Sequence, residues 1–245
     1  MKTIASRLLL TCALLLAVVA RAEVVNVYTS ANFAPLMLGH GGGLYPDLIA
    51  HLNKHSGSLQ YKLFYLPRKR LQVKLEDGSL DGIVIGMMPE WLDDPDQSKY
   101  KWTAPFATDR FALVSLASRP VDPNRSAILA PGTIGVTTGY VYPGLDSWFA
   151  RAGLKRLGSV SDEKNIEKLL LGRVDCVLVA ESMARYFVRR HHLGWKLRIY
   201  PMPGEPTERR FLVQQRDARL FEPLSAAVRK LRDDPAWRRA AAAYD

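Results

Sequence analysis

A few short stretches of the chain place charged or hydrogen-bonding residues directly after strand-like runs. Leu66-Pro67-Arg68-Lys69-Arg70-Leu71 follows an alternating apolar segment and opens a helical pattern. A guanidinium there offers a planar fork for a carboxylate, and an arginine in a helix's first turn opposes the helix dipole. Arg70, ahead of Arg68, is therefore read as a ligand group. Thr137-Thr138-Gly139-Tyr140-Val141-Tyr142-Pro143 lies between a strand and a helix. Its free backbone N–H groups and the Thr138 hydroxyl would meet an anion at the helix's positive end, with Gly139 in the turn and Tyr140 as a wall. In Leu178-Val179-Ala180-Glu181-Ser182 the Glu181 carboxylate would make charge-assisted hydrogen bonds to an amine, or would serve only to complement a helix N-terminus. Trp91 offers an apolar or cation–π surface. The plainer alternatives are a solvated charge cluster at Arg68 to Arg70 and an ordinary turn at Thr138.

Signatures of catalysis are weak. The chain has no G-x-S-x-G, no H-E-x-x-H and no P-loop. His191-His192 are adjacent on a predicted helix, where neighbouring side chains diverge. His40 sits among glycines, a feeble phosphate signal. Cys176, in an apolar strand context, is expected to be a buried, inert thiol. No metal or cofactor is expected.

The elements that must position these residues alternate in type. Val24 to Tyr28 reads as a first strand. Tyr45 to His55 has apolar residues at Tyr45, Leu48, Ile49 and Leu52, a helical spacing. Leu59 to Leu66 alternates like a strand, Arg68 to Glu76 is helical, and Gly82 to Gly86 is a short buried strand. A second series follows from Phe111, with strands at Ile134 to Thr137, Val174 to Ala180 and Leu197 to Tyr200. Helices are predicted at Gly144 to Ala152, Ser161 to Leu171 and Glu181 to His191. Ser161 is read as the cap of its helix, with acids in the first turn. Phe211 to Val213 is a last strand, and Leu220 to Tyr244 is helical with Pro235 separating two pieces. Repeating βαβ units predict mostly parallel sheets covered by helices.

The N-terminus carries Lys2 and Arg7, an apolar stretch from Leu8 to Ala20, and Ala20-Arg21-Ala22. That pattern predicts a secretory signal cleaved after Ala22; the apolar run is too short for a spanning helix, which needs about 20 residues. Cys12 lies within it, behind a poor lipobox. Beyond it remain 31 basic and 24 acidic residues, dispersed, with pairs such as Arg189-Arg190, Arg209-Arg210 and Arg238-Arg239. These are read as solvated faces, and an exported protein has little access to nucleic acid. With Cys176 the single cysteine after Ala22, no internal disulfide is expected.

Residues 75–111 resemble the L-x-x-G-x-x-D … P-E-R … F-x-x-P segment of the family 3 periplasmic (extracellular) solute-binding proteins, the polar amino acid ABC-importer type. Leu75, Gly78 and Asp81 match the first part, and Trp102-Thr103-Ala104-Pro105 the last. Pro89-Glu90-Trp91 departs from it: a tryptophan stands where the family's carboxylate-gripping arginine would be. Leu44-Tyr45-Pro46-Asp47 is similar to the family's helix start. The resemblance implies an α/β, two-lobed periplasmic binding protein fold, each lobe a mostly parallel sheet flanked by helices, with a ligand cleft between them. Beyond the signal peptide read over 1–22, it implies one lobe from 23–110 plus 205–245, and the other from 111–204. It implies that Phe33 lies against the solute, that the Thr138-Gly139 turn binds carboxylate, and that Glu181 takes the ligand's ammonium group. With Trp91 in place of the arginine, the carboxylate falls to Arg70 or Arg110, or the ligand lacks one. The expected protein is a periplasmic monomer that captures a small polar solute by lobe closure, without catalysis, for an ABC permease or a membrane sensor. A dehydratase-like enzyme on the same scaffold and a sensory module without a ligand are the alternatives.

Overall fold

Alternation of apolar strands with amphipathic helices builds two sheets. A computed structural model describes residues 22–124 and 132–244. The export signal expected over 1–22 falls, but for Ala22, outside the described residues. Strand β1 (Glu23–Thr29) pairs in parallel with β2 (Leu59–Tyr65) and with β3 (Ile83–Met87), whose residues are all buried. Helix α1 (Leu44–His55) covers this sheet through Leu44, Tyr45, Leu48, Ile49 and Leu52, the expected helical stripe. Helix α2 (Arg68–Glu76) buries Leu71 and Leu75, leaves Val73 exposed, and is otherwise polar.

The chain leaves this sheet through β4 (Tyr100–Trp102) and β5 (Ala107–Asp109) and enters the second at β6 (Phe111–Leu116), with Arg110 alone between. The second sheet adds β7 (Gly132–Thr137), β8 (Leu154–Ser159), β9 (Cys176–Ala180) and β10 (Leu197–Pro201), in the order β10-β6-β9-β7-β8. Around it lie α3 (Asp146–Ala152), α4 (Asp162–Leu170) and α5 (Glu181–Arg190). Ser161 caps α4 by accepting from the Lys164 N–H at 3.2 Å. The return strand β11 (Thr207–Gln214) rejoins the first sheet between β3 and β4 and also pairs with β5, so its order is β2-β1-β3-β11-β4. Helices α6 (Phe221–Leu231) and α7 (Pro235–Ala241) close the chain, broken at Asp234-Pro235, where Asp234 caps α7.

Each sheet is parallel only in its βαβ half. The strands that carry the chain across, β5, β6, β10 and β11, all pair antiparallel with their neighbours. β5, β6 and β11 are entered without a crossover helix, so nothing forces them parallel; β10 is reached from β9 through α5 and is antiparallel only because its neighbour is β6. The βαβ periodicity predicts β10 and β11 as strands but not their antiparallel pairing, and it misses β4 and β5 as well as most of β8. Cys176 is fully buried, and burial pushes its thiol up to about 12, in keeping with an inert core residue. Among the described residues no helix is long and apolar enough to cross a membrane.

The β1–β3 approach is tight at Gly82, where a Cβ would stand 2.2 Å from the Asn26 carbonyl oxygen. Backbone cannot yield there without parting the strands. Gly82→Ala is expected to destabilise the protein by about 2–3 kcal/mol in denaturant titration. Gly39→Ala, which would meet nothing within 4 Å, should leave the midpoint unchanged.

Candidate functional site

The strand ends of both sheets face a common cleft with about 630 Å³ of empty space, part of it open to solvent. Ser30, Ala31 and Phe33 reach it from the loop after β1, and Arg68 from the first turn of α2. Trp91, from the short helical turn Pro89–Leu92, forms another wall. From the crossing strands come Asp109, Arg110, Phe111, Thr207 and Arg209. Gly139 and Tyr140 follow β7, and Asp162 opens α4. These are the positions where ligands of α/β sheets gather, beyond the carboxyl ends of strands.

The floor is an ion pair. Arg209 Nη2 donates to Asp109 Oδ2 at 3.3 Å, and both side chains are 6% exposed. Asp109 also accepts from the Ser182 hydroxyl at 2.6 Å and the Ser182 N–H at 3.2 Å, so its carboxylate is fully engaged. Arg209 further donates to the Tyr45 hydroxyl at 3.4 Å. Burial alone would lower the Arg209 pKa, but Tyr45 and Asp109 outweigh it, and the net direction is upward. The charge is fixed. Arg209-Arg210, read from sequence as a solvated pair, is thus divided by the strand alternation: Arg209 is buried, while Arg210 is half-buried and bonds Glu208 and the Thr103 carbonyl.

Trp91 lies between two guanidiniums. The Arg68 and Arg209 carbons stand 6.0 and 5.9 Å from its ring centroid, within cation–π range. Arg68 also donates to the Trp91 carbonyl at 2.8 Å and to the Met87 sulfur. It makes no ion pair among the described residues. Burial pulls its guanidinium below the ordinary arginine value, with the Tyr140 phenol opposing. The Trp91 indole nitrogen is buried and has no hydrogen-bond partner among the described residues.

On the opposite side stands Asp162, 2% exposed. Its Oδ1 accepts from the Thr137 hydroxyl at 2.5 Å, and its Oδ2 faces the Ala180 N–H at 3.5 Å. Burial pushes its carboxyl up to about 6, against the pull of these donors. Tyr140 nearby is also raised, chiefly by burial.

Of the residues that sequence reasoning placed at a site, Phe33, Trp91, Gly139 and Tyr140 line this cleft. Arg110 lines it too, with its guanidinium 3.6 Å from Glu181. Arg70 is exposed and does not line it; Arg68, two residues earlier, does, because positions i and i+2 point to different sides of a helix. Thr138 is exposed and leans over Gly158 of β8, where an added Cβ would sit 2.7 Å from its hydroxyl. Glu181 lies outside the lining, its carboxylate engaged by Arg185 at 2.7 Å and by Arg110. Asp109, Asp162 and Arg209 were missed. The period-2 pattern of β11 would have turned Arg209 inward, and Asp162 was absorbed into the reading of a helix's first turn.

No protein-family model matches the sequence, and no curated protein matches it. The fold is nevertheless that of two-lobed binding proteins. An ancestral arginine-binding protein bound to arginine superposes with a TM-score of 0.72 at 17% identity, over 91% of this chain and 98% of the other. The ligand-binding core of GluR0 from Nostoc punctiforme, in complex with L-glutamate, gives 0.70 at 13% identity, over 88% and 96%. The BvgS VFT2 domain of Bordetella pertussis, a double mutant, gives 0.66 at 20% identity, over 84% and 86%.

The raised pKa of Asp162 has a consequence for stability. Its carboxyl titrates near 6 when folded and near 3.9 when unfolded. Between those values the native state holds the extra proton, so this contribution is full below about pH 4 and is lost as pH rises through about 6. Urea titrations should therefore show the wild type losing up to about 3 kcal/mol from this source between pH 4 and 7. The Asp162→Asn protein should lack that slope.

Proposed function

We propose that the chain is a solute-binding protein whose lobes close on a small molecule carrying both a carboxylate and an ammonium group. The observation that carries this reading is Arg68, a half-buried guanidinium in the cleft without an ion-pair partner among the described residues. A desolvated, unpaired cation gains most from a bidentate anion. Asp162, its pKa raised by burial, gains in turn from an ammonium group, which would draw its proton away. Phe33, Trp91 and Tyr140 give the apolar walls, and the spare Trp91 N–H suits a ligand oxygen. The reading keeps Phe33, Trp91, Gly139 and Tyr140 as cleft lining and gives Thr138 no part in it. It moves the carboxylate from Arg70 to Arg68 and the ammonium from Glu181 to Asp162. We take the lobes as 23–110 plus 205–245 and 111–204, hinged where β5 pairs with β11 and β6 and β10 lead away.

We further propose that the protein works in the periplasm and hands its closed form to an ABC permease or a membrane sensor. The apolar N-terminal segment supports export, and the likeness to both an arginine-binding protein and BvgS supports either outlet. A carboxyl that titrates near 6 in a cleft is also suited to proton transfer. Turnover of a bound acid would favour the dehydratase-like alternative, and binding without turnover the solute carrier.

Calorimetric or thermal-shift titration with a panel of amino acids and related zwitterions tests the binding mode. Arg68→Ala should weaken the best ligand by about ten- to a hundredfold, while Arg70→Ala should leave it unchanged. Affinity should rise from pH 5 to 7 as Asp162 ionises. Loss of binding in Arg70→Ala with Arg68→Ala unaffected would refute the assignment.

A further inference from the structure

On the first lobe, away from the cleft, His51, His55 and Asp234 each bring a potential metal-ligating atom within 4.8 Å of the others. Among the described residues no other group of histidine, cysteine, aspartate and glutamate does so. His51 and His55 are one turn apart on α1, so both rings stand on one face, with centroids 5.2 Å apart. Asp234 caps α7, which packs against that face through the buried Trp237, 5.7 Å from the His51 ring. The three residues therefore sit where the last helix docks on the first.

We infer that this cluster is a binding site for a divalent transition-metal cation of the zinc type. Two imidazoles and a carboxylate make a nitrogen-rich, borderline donor set that suits zinc, cobalt, nickel or copper and disfavours magnesium and calcium, which take oxygen. His51 Nε2 and Asp234 Oδ2 are 2.9 Å apart, and two ligands of a tetrahedral zinc lie about 3.3 Å apart. A cation can thus enter between them with little movement. His55 is exposed and free to rotate inward, and a water completes the four. The other Asp234 oxygen stays with the helix, accepting from the Ala236 N–H at 2.7 Å and the Trp237 N–H at 3.2 Å. These bonds hold the carboxylate in place and leave Oδ2 for a metal. Bound metal would clip α7 to α1 and stabilise the lobe by mass action. The site is independent of what the cleft takes.

Thermal unfolding and calorimetry of chelator-stripped full chain, titrated with Zn²⁺, Co²⁺ and Mg²⁺, test it. Expected are one equivalent of bound Zn²⁺ with a raised melting midpoint, a visible Co²⁺ absorption of tetrahedral type, and no response to Mg²⁺. His55→Ala should leave the metal-free midpoint unchanged and weaken Zn²⁺ at least about tenfold. A His191→Ala/His192→Ala double variant should bind as the wild type does. The inference is overturned if the wild type ignores Zn²⁺, if His55→Ala binds it equally well, or if the response follows His191 and His192 instead.

Discussion

Asp109 and Arg209 face each other at the point where the chain crosses between its two sheets, almost sealed from water. Burying two charges is costly, and it is tolerated when each is paired and its remaining valences are filled. Here Ser182 on α5 supplies two of those valences and Tyr45 on α1 a third. One carboxylate therefore holds the return strand β11, the crossing strand β5 and the first turn of a helix in the second lobe in a single arrangement. Removing either partner would leave an uncompensated buried charge, a loss of about 3–5 kcal/mol. The geometry of the cleft rests on this pair, because its floor and both of its flanks are tied to it.

The chemistry of the cleft follows from which charges that pair consumes. Arg209 is neutralised locally, and Arg110 lies beside Glu181, which also holds Arg185. Among the described residues Arg68 is left with soft and neutral partners, and Asp162 with hydroxyl and amide donors but no cation in hydrogen-bond contact. The cleft thus holds, among the described residues, one cation without an ion-pair partner and one carboxyl whose charge burial disfavours, and the proposed zwitterion rests on these two. Trp91 fits the same logic: in place of another guanidinium it offers a ring that two arginines share, and an N–H still to be used.

Much of the architecture was legible in the residues. The stripe of Tyr45, Leu48, Ile49 and Leu52 marked α1, the unbroken apolar run after Gly82 marked β3, and Ser161 marked the start of α4. The loops at Phe33 and at Gly139-Tyr140 could be named because strand ends are where such sheets bind. Arg209 was passed over because adjacent arginines look alike; only the alternation of β11, run back from the buried Phe211, sends it inward. Arg68 and Arg70 are separated only by helix phase, which depends on where α2 begins and how it sits on the sheet. Asp162 looked like any acid in a helix's first turn; its burial comes from β7 and β9 closing over it, a long-range effect no local pattern carries.

The central claim is that Arg68 and Asp162 together select a zwitterion. The most direct measurement is native mass spectrometry of freshly purified, never denatured protein, wild type beside Arg68→Ala. The account predicts a non-covalent adduct of one small solute bearing a carboxylate and an amine on the wild type, released on acidification below about pH 5 and lost from Arg68→Ala. An adduct that lacks a carboxylate, or one retained equally by both proteins, would contradict it.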